Sequence, residues 1–374
     1  MQVQPSSMSE HILDNLHKEA IELLRQLVAT PSISTQEDKT ANILDDFFRH
    51  RGIIRYHHLN NVWAYNASFD PEKPTILLNS HHDTVKPNPK YTKNPYSPTI
   101  ENGKLYGLGS NDAGGSLVSL IATFIHFHKT EDLHYNLIIA ATAEEEISGH
   151  NGIEAVLQSE RFNFPLRKGK PIDCCIVGEP TQMQLAIAER GLMVLDCKSN
   201  GMAGHAARNE GENAIYKAIK DIEWFNSFQF ERKSELLGPV KMTVTSIQTE
   251  NKAHNVVPAE CSFIVDTRIN ELYTFEEVLD TIKANVQCEV HPRSTRLRSS
   301  AIAVEHPLVQ AGMKMGRSYY GSPTTSDKAL MPFPTLKMGP GDSARSHTAD
   351  EFIYVDEIKE GIRLYIKLLE QLLV

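Results

Sequence analysis

An apolar run that ends in three polar, metal-competent side chains constrains this chain more than any other feature. Thr75-Ile76-Leu77-Leu78-Asn79-Ser80 leads directly into His81-His82-Asp83. The β-branched and aliphatic start predicts a buried strand, which places the polar triplet at its C-terminal end. In open α/β sheets ligands bind along that edge. His81 and Asp83 are two apart, so on an extended backbone their side chains leave by the same face. The imidazole can then face a metal while the carboxylate holds its other ring nitrogen. Taken alone, the triplet is equally a surface turn. What decides is whether other strands end the same way.

They do. After a Pro- and Lys-rich loop at 86–98, the stretch Leu105-Tyr106-Gly107-Leu108-Gly109-Ser110-Asn111-Asp112 makes a glycine-rich turn ahead of a helix expected over Ser116–Lys129. It lacks the Lys-Ser/Thr of a P-loop and the third glycine of the dinucleotide fingerprint, so it is not read as a phosphate cradle. What it presents is one carboxylate, Asp112. A second buried strand, Tyr135–Thr142, ends in Glu144-Glu145-Glu146, and a third, Asp173–Gly178, ends in Glu179-Pro180. A late strand at Thr335–Met338 runs into a loop that carries His347. Adjacent carboxylates at a strand end are costly unless positive charge sits among them. His126 and His128 point roughly 200° apart on their helix. They cannot share an ion and are read as surface residues, and His57, His58, His150 and His254 as structural or surface ones.

The strand-end groups His81, Asp112, Glu146, Glu179 and His347 form a set of imidazoles and carboxylates suited to a pair of divalent ions, most simply zinc, with cobalt or manganese as substitutes. The summed negative charge of the carboxylates and one hydroxide matches two divalent cations better than one. Such a pair polarises a carbonyl and activates water near neutral pH. Glu145, beside the ligand candidate Glu146, is then the spare carboxylate that moves a proton to a leaving amine. The reaction class is metal-assisted amide hydrolysis.

From about residue 187 the pattern changes. Alternating strands at Leu192–Lys198, Val240–Thr249, Ala259–Arg268 and Gln287–Arg293 interleave with helices at Glu212–Phe228 and Phe275–Asn285. This β-α-β-β-α-β order is a self-contained unit of ferredoxin-like type. The expected division is a first catalytic part at 1–186, an inserted domain at 187–304 and a second catalytic part at 305–374. Near the start, a helix is expected over residues 9–29, and Thr35 with Asp38 resembles a capping box for the next helix, which stops at Gly52.

Composition narrows the function classes. The chain has 374 residues, 38 basic against 47 acidic, net −9, and no long basic run. That argues against nucleic acid and anionic membranes as partners. No apolar stretch spans a bilayer. Met1–Ser7 lacks the charged region and apolar core of a signal peptide and reads as a short disordered tail. The five cysteines show no CxxC spacing, and the expected compartment is the cytoplasm.

The order His81-x-Asp83, Gly107-x-x-x-x-Asp112, Glu144-Glu145-Glu146, Gly178-Glu179-Pro180-Thr181 and a late His347 is similar to the M20 family of di-zinc amidohydrolases. That family includes acetylornithine deacetylase, succinyl-diaminopimelate desuccinylase, aminoacylases and peptidases, and the match runs from about residue 20 to the end. The resemblance implies a zinc-exopeptidase-like three-layer α/β/α domain with the ferredoxin-like insertion serving homodimerisation. It implies that Asp112 bridges two zinc ions, with His81 and Glu179 at one and Glu146 and His347 at the other. Glu145 would be the general base and Asp83 the partner of His81. It also implies that His205 stabilises the oxyanion in the neighbouring subunit's site, and that Asn255 and Arg268 bind substrate. Ser80, Glu144 and Asp350 depart from the family's usual glycine, aspartate and asparagine. The substrate expected is an N-acyl amino acid, N-acetylornithine foremost, in arginine biosynthesis, with N-acetylcitrulline or N-succinylornithine as near variants. The alternatives are a succinyl-diaminopimelate desuccinylase, a dipeptidase, and a metal-free homodimeric binding protein.

Overall fold

The computed structural model describes residues 9–166, 172–208 and 210–373. The N-terminal tail expected at 1–7 lies outside them. The chain divides into two compact units, a larger one of residues 1–187, 302–320 and 326–374, and a smaller one of 188–301 and 321–325.

The strands Thr75–His81 and Asn136–Thr142 are buried at every position, which is why they read as continuous apolar runs without alternation. They are neighbours in a mixed sheet. Its strands run in the order Arg55–His58, Asn61–Tyr65, Asn136–Thr142, Thr75–His81, Cys174–Val177, Thr335–Lys337, then a strand that starts at Leu185. The middle four are mutually parallel, with Leu77 opposite both Ile138 and Cys175. The outer ones pair antiparallel. Four parallel strands bring all their C-terminal ends to one edge; His81 ends one, Glu145, Glu146 and Glu179 closely follow two others, and His347 lies in the loop after the fourth.

Each sheet face has its own core. Leu77, Ile138, Ala140, Cys175 and Val177 pack on Trp63, Ile153, Val156 and Phe162. The opposite face receives the helix Gly115–Phe127, buried nearly all round. That helix is covered in turn by the amphipathic helices Glu10–Val28 and Val355–Leu373. Being enclosed on both sides, it needs no polar face. The result is the expected three-layer α/β/α arrangement.

The smaller unit is the expected ferredoxin-like fold. Its strands Gly191–Asn200, Lys241–Gln248, Glu260–Ile269 and Glu289–Pro292 form one antiparallel sheet with Gly191–Asn200 and Glu260–Ile269 at its centre. The helices Ala214–Ser227 and Phe275–Asn285 bury Ala218, Phe225, Val278 and Ile282 in a common core with Leu195, Phe263 and Val265.

Three local expectations are corrected. The helix Asp38–His50 has no Thr35 cap: Thr35 is left-handed, and its N–H donates to the carboxylate of Glu37, the residue at the N-cap position. The helix expected from Glu212 begins at Ala214, because the Asn213 side chain accepts from the Ile215 N–H and caps it there. His128 is buried and not a surface residue. It lies beyond the helix end, edge-on to Phe124, and lines a cavity of about 580 Å³ with Tyr56, Tyr65 and Phe69.

Leu78 is fully buried between the two central neighbours of its strand. Leu78→Ala is expected to lower stability by about 2–5 kcal/mol, read from chemical denaturation.

Candidate metal centre

Where the parallel strands end, the backbone turns sharply and presents side chains toward a common point. His81 is the last residue of its strand and fully buried. Its Nδ1 lies 3.1 Å from the Asp83 carbonyl oxygen and 3.3 Å from Asp83 Oδ1. Both are acceptors, so the proton sits on Nδ1. The Nε2 lone pair is then buried without a hydrogen-bond partner, 3.5 Å from Asp112 Oδ1, 3.7 Å from Glu179 Oε1 and 3.9 Å from Glu145 Oε2. A lone pair facing three carboxylates is repulsive, and either a cation between them or a second proton on the ring relieves it. Burial opposes charge on this imidazole, but Glu145, Asp112 and Asp83 outweigh it and hold His81 well above its usual pKa. The site calls for positive charge at that point.

The other oxygen of Asp112 looks the opposite way. Oδ2 is 3.6 Å from His347 Nε2, which also lies 2.9 Å from Glu146 Oε2. Hydrogen bonding to Glu146 lifts His347 to about 9. One carboxylate thus stands between two imidazoles, each with further acids beside it. Donor atoms of His81, Glu145 and Glu179 lie within 4.8 Å of one another, as do those of His81, Asp112 and Glu146. Mixed N and O donors at that spacing fit divalent cations such as zinc.

Asp83 does more than hold His81. Its carboxylate accepts from the Ser34 hydroxyl at 2.7 Å and from the N–H groups of Glu145 and Glu146, both at 3.1 Å. The imidazole and the acidic turn Glu145–Ile147 are therefore tied to one anion. Glu144 is left-handed and closes this loop by accepting from Asn151 N and Nδ2. Burial pushes the Glu145 carboxyl well above its ordinary range, and the nearby acids add to the effect. Ser80 donates to the Gly178 carbonyl at 2.7 Å and so ties the His81 strand end to Glu179. His82 points elsewhere: it donates to Asn60 O, accepts from Thr40, and burial lowers it to about 4.

Glu351 and Asp327 complete the surroundings. Glu351 is buried and accepts from the N–H groups of Gly109, Asn111 and Asp112. Asp327, buried and raised to about 6 chiefly by burial, accepts from Asn79 and Thr142 beneath the strand ends. Motif reading assigned neither a task, because their partners lie 185 to 248 residues away in sequence. Asp350 accepts from Thr92 N, Thr92 Oγ1 and Lys93 N. An aspartate there anchors the Pro- and Lys-rich loop.

The remaining predicted residues belong to the smaller unit. His205 is exposed on a two-residue strand, Gly204–His205, paired with Val256–Val257. The exposed Asn255 accepts the Ala206 N–H through its carbonyl. Arg268 makes a two-point ion pair with Asp266, at 2.7 and 3.0 Å.

A layered α/β fold whose parallel strand ends gather histidines and carboxylates defines a metal-dependent hydrolase. The profile of peptidase family M20/M25/M40 matches residues 77–371, and the chain belongs to that family. It is a metal-dependent amidohydrolase. The chain is 25% identical over 384 residues to a succinyl-diaminopimelate desuccinylase from Stenotrophomonas maltophilia, covering 95% of this chain and 99% of the relative. The fold is similar to that of the aminopeptidase PepT of Bacillus cereus, with a TM-score of 0.75 at 17% identity over 96% of this chain and 98% of the other. It is also similar to the YXEP protein of Bacillus subtilis, described as a dinuclear metal-binding peptidase, with a TM-score of 0.71 at 14% identity over 95% and 98% of the two chains.

Adding Zn²⁺, Co²⁺ or Mn²⁺ to metal-depleted protein is expected to raise its melting temperature. At a hundred times the dissociation constant one site contributes about 2.7 kcal/mol. Asp83→Ala should weaken this response, and differential scanning calorimetry with and without the ion reads both.

Proposed function

We propose that the chain hydrolyses the amide bond of an N-acyl amino acid with two zinc ions bound. The observation that carries this is the Asp112 carboxylate, one oxygen facing His81 and the other facing His347. In this reading Asp112 is shared, His81 and Glu179 complete one ion's protein ligands, and Glu146 and His347 complete the other's. When bound, such a pair polarises the scissile carbonyl and acidifies water.

The protein's own part is positioning and proton transfer. Glu145 is left over from the ligand set, and Asp83 holds its backbone. Its carboxylate takes the proton from the attacking water and returns it to the leaving nitrogen. His205 donates to the developing oxyanion from the neighbouring subunit. Arg268 binds the α-carboxylate of the substrate, a task that suits a guanidinium already oriented by Asp266. Asn255 helps seat it. Homodimerisation through the smaller unit is part of the same reading. It is supported by the edge strand Lys241–Gln248 and by exposed Tyr216 and Ile219 on the helix Ala214–Ser227. Residence in the cytoplasm is supported by five unbridged, buried cysteines.

The proposed substrate is an N-acyl amino acid, N-acetylornithine first, with N-acetylcitrulline and N-succinylornithine as near variants. The sequence Gly339-Pro340-Gly341-Asp342-Ser343 ahead of His347 resembles that of the arginine- and lysine-biosynthesis deacylases. The second reading, N-succinyl-diaminopimelate, is favoured by the name of the relative that spans nearly the whole chain.

Measuring kcat/KM of the zinc-loaded protein on N-acetylornithine, N-acetylcitrulline, N-succinylornithine, N-succinyl-diaminopimelate and several dipeptides tests the reading. A clear preference for an N-acyl ornithine or citrulline supports the first proposal. Preference for N-succinyl-diaminopimelate transfers it to the second, and preference for dipeptides overturns both. Glu145→Gln is expected to keep its zinc yet lose about 10²–10⁴ in kcat. Metal analysis alongside steady-state kinetics checks this, and full activity would remove Glu145 from proton transfer.

A further inference from the structure

The turn that carries Asp112 is built around a second, deeply buried carboxylate. Gly109 is left-handed, and a Cβ there would lie 2.6 Å from Thr84 Cγ2. The turn it permits points three backbone N–H groups at Glu351. Gly109 donates to Oε2 at 3.1 Å, while Asn111 and Asp112 both donate to Oε1 at 2.9 Å. Converging backbone N–H groups form an anion-binding nest, and here the anion belongs to the protein. Glu351 is only 2% exposed.

Two further ties keep that carboxylate in place. The Gly107 N–H donates to the Glu351 carbonyl at 2.9 Å, and Phe352–Tyr354 pairs antiparallel with Lys104–Tyr106. The Asn111 side chain, on the far side of the turn, donates to Asp342 O and Ser346 Oγ and accepts from Asp342 N. His347 follows directly in that segment. One clasp therefore spans both ends of the pair formed by Asp112 and His347.

We infer that Glu351 is a positioning residue for the metal pair: through the N–H groups it accepts, it fixes the backbone of Asp112 so that its two oxygens face different imidazoles. This rests on the proposed sharing of Asp112 between two ions.

The test is calorimetric titration of metal-depleted wild type, Glu351→Gln, Glu351→Ala and Asp112→Ala with Zn²⁺, together with the visible spectra of the Co²⁺-loaded forms. Glu351→Gln keeps the side-chain shape and one acceptor but turns an NH₂ toward the nest. It is expected to bind metal about 10–100-fold more weakly, with an altered Co²⁺ spectrum, and with metal-free melting close to wild type. Wild-type affinity and spectrum in both Glu351 variants would overturn the inference. So would a lowered metal-free melting temperature with unchanged metal affinity, which is the mark of a purely structural anchor. If the alanine variant does not fold, the isosteric glutamine carries the test. Asp112→Ala separates the two possible failures. If it still binds two ions at wild-type affinity, the sharing of Asp112 is lost and this inference with it. If it loses an ion while Glu351→Gln does not, only the role of Glu351 falls.

Discussion

A buried imidazole lone pair aimed at three carboxylates is unstable by itself, and the surroundings of His81 are organised around that fact. Asp83 commits the proton to Nδ1, which leaves Nε2 to face Asp112, Glu145 and Glu179. Charge of the opposite sign must lie among these groups for the fold to hold them together. A divalent cation, or a second proton on the imidazole, meets that need. His347 differs in having a partner, Glu146 Oε2 at 2.9 Å, and a single aspartate, Asp112, stands between the two imidazoles.

Holding so many acids at one sheet edge requires donors, and the backbone supplies most of them. Asp83 accepts the N–H groups of Glu145 and Glu146, and Glu351 accepts those of Gly109, Asn111 and Asp112. In both cases a buried carboxylate that is not itself a proposed ligand orients the turn that bears ligands. Asp327 instead accepts from the side chains of Asn79 and Thr142, which lie on the two central strands.

Much of this was legible from local pattern. The runs at Thr75 and Tyr135 announced buried strands because parallel strands covered on both faces carry apolar residues without alternation. The alternating strands of the smaller unit announced a sheet with one covered face, and their order with two helices announced its topology. Failures came where a side chain outside the local pattern took control. Glu37 displaced Thr35 at a helix start, and Asn213 moved another start by capping it. His128, polar and next to a lysine, was buried because the chain turns back there against Phe124 and the aromatic residues of a neighbouring cavity.

The sequence by itself determined which chemical groups follow which strands and turns, since period and polarity are local properties: His81, Asp112, Glu145, Glu146, Glu179 and His347 were all readable without coordinates. Only the tertiary structure decided that Asp112 turns one oxygen to each histidine, and that Glu351 and Asp327 stand behind the site. The physical reason is sequence separation. Those contacts close across long stretches of chain, where no periodicity or capping rule acts, and they exist only once the parallel sheet has brought its strand ends to a common edge.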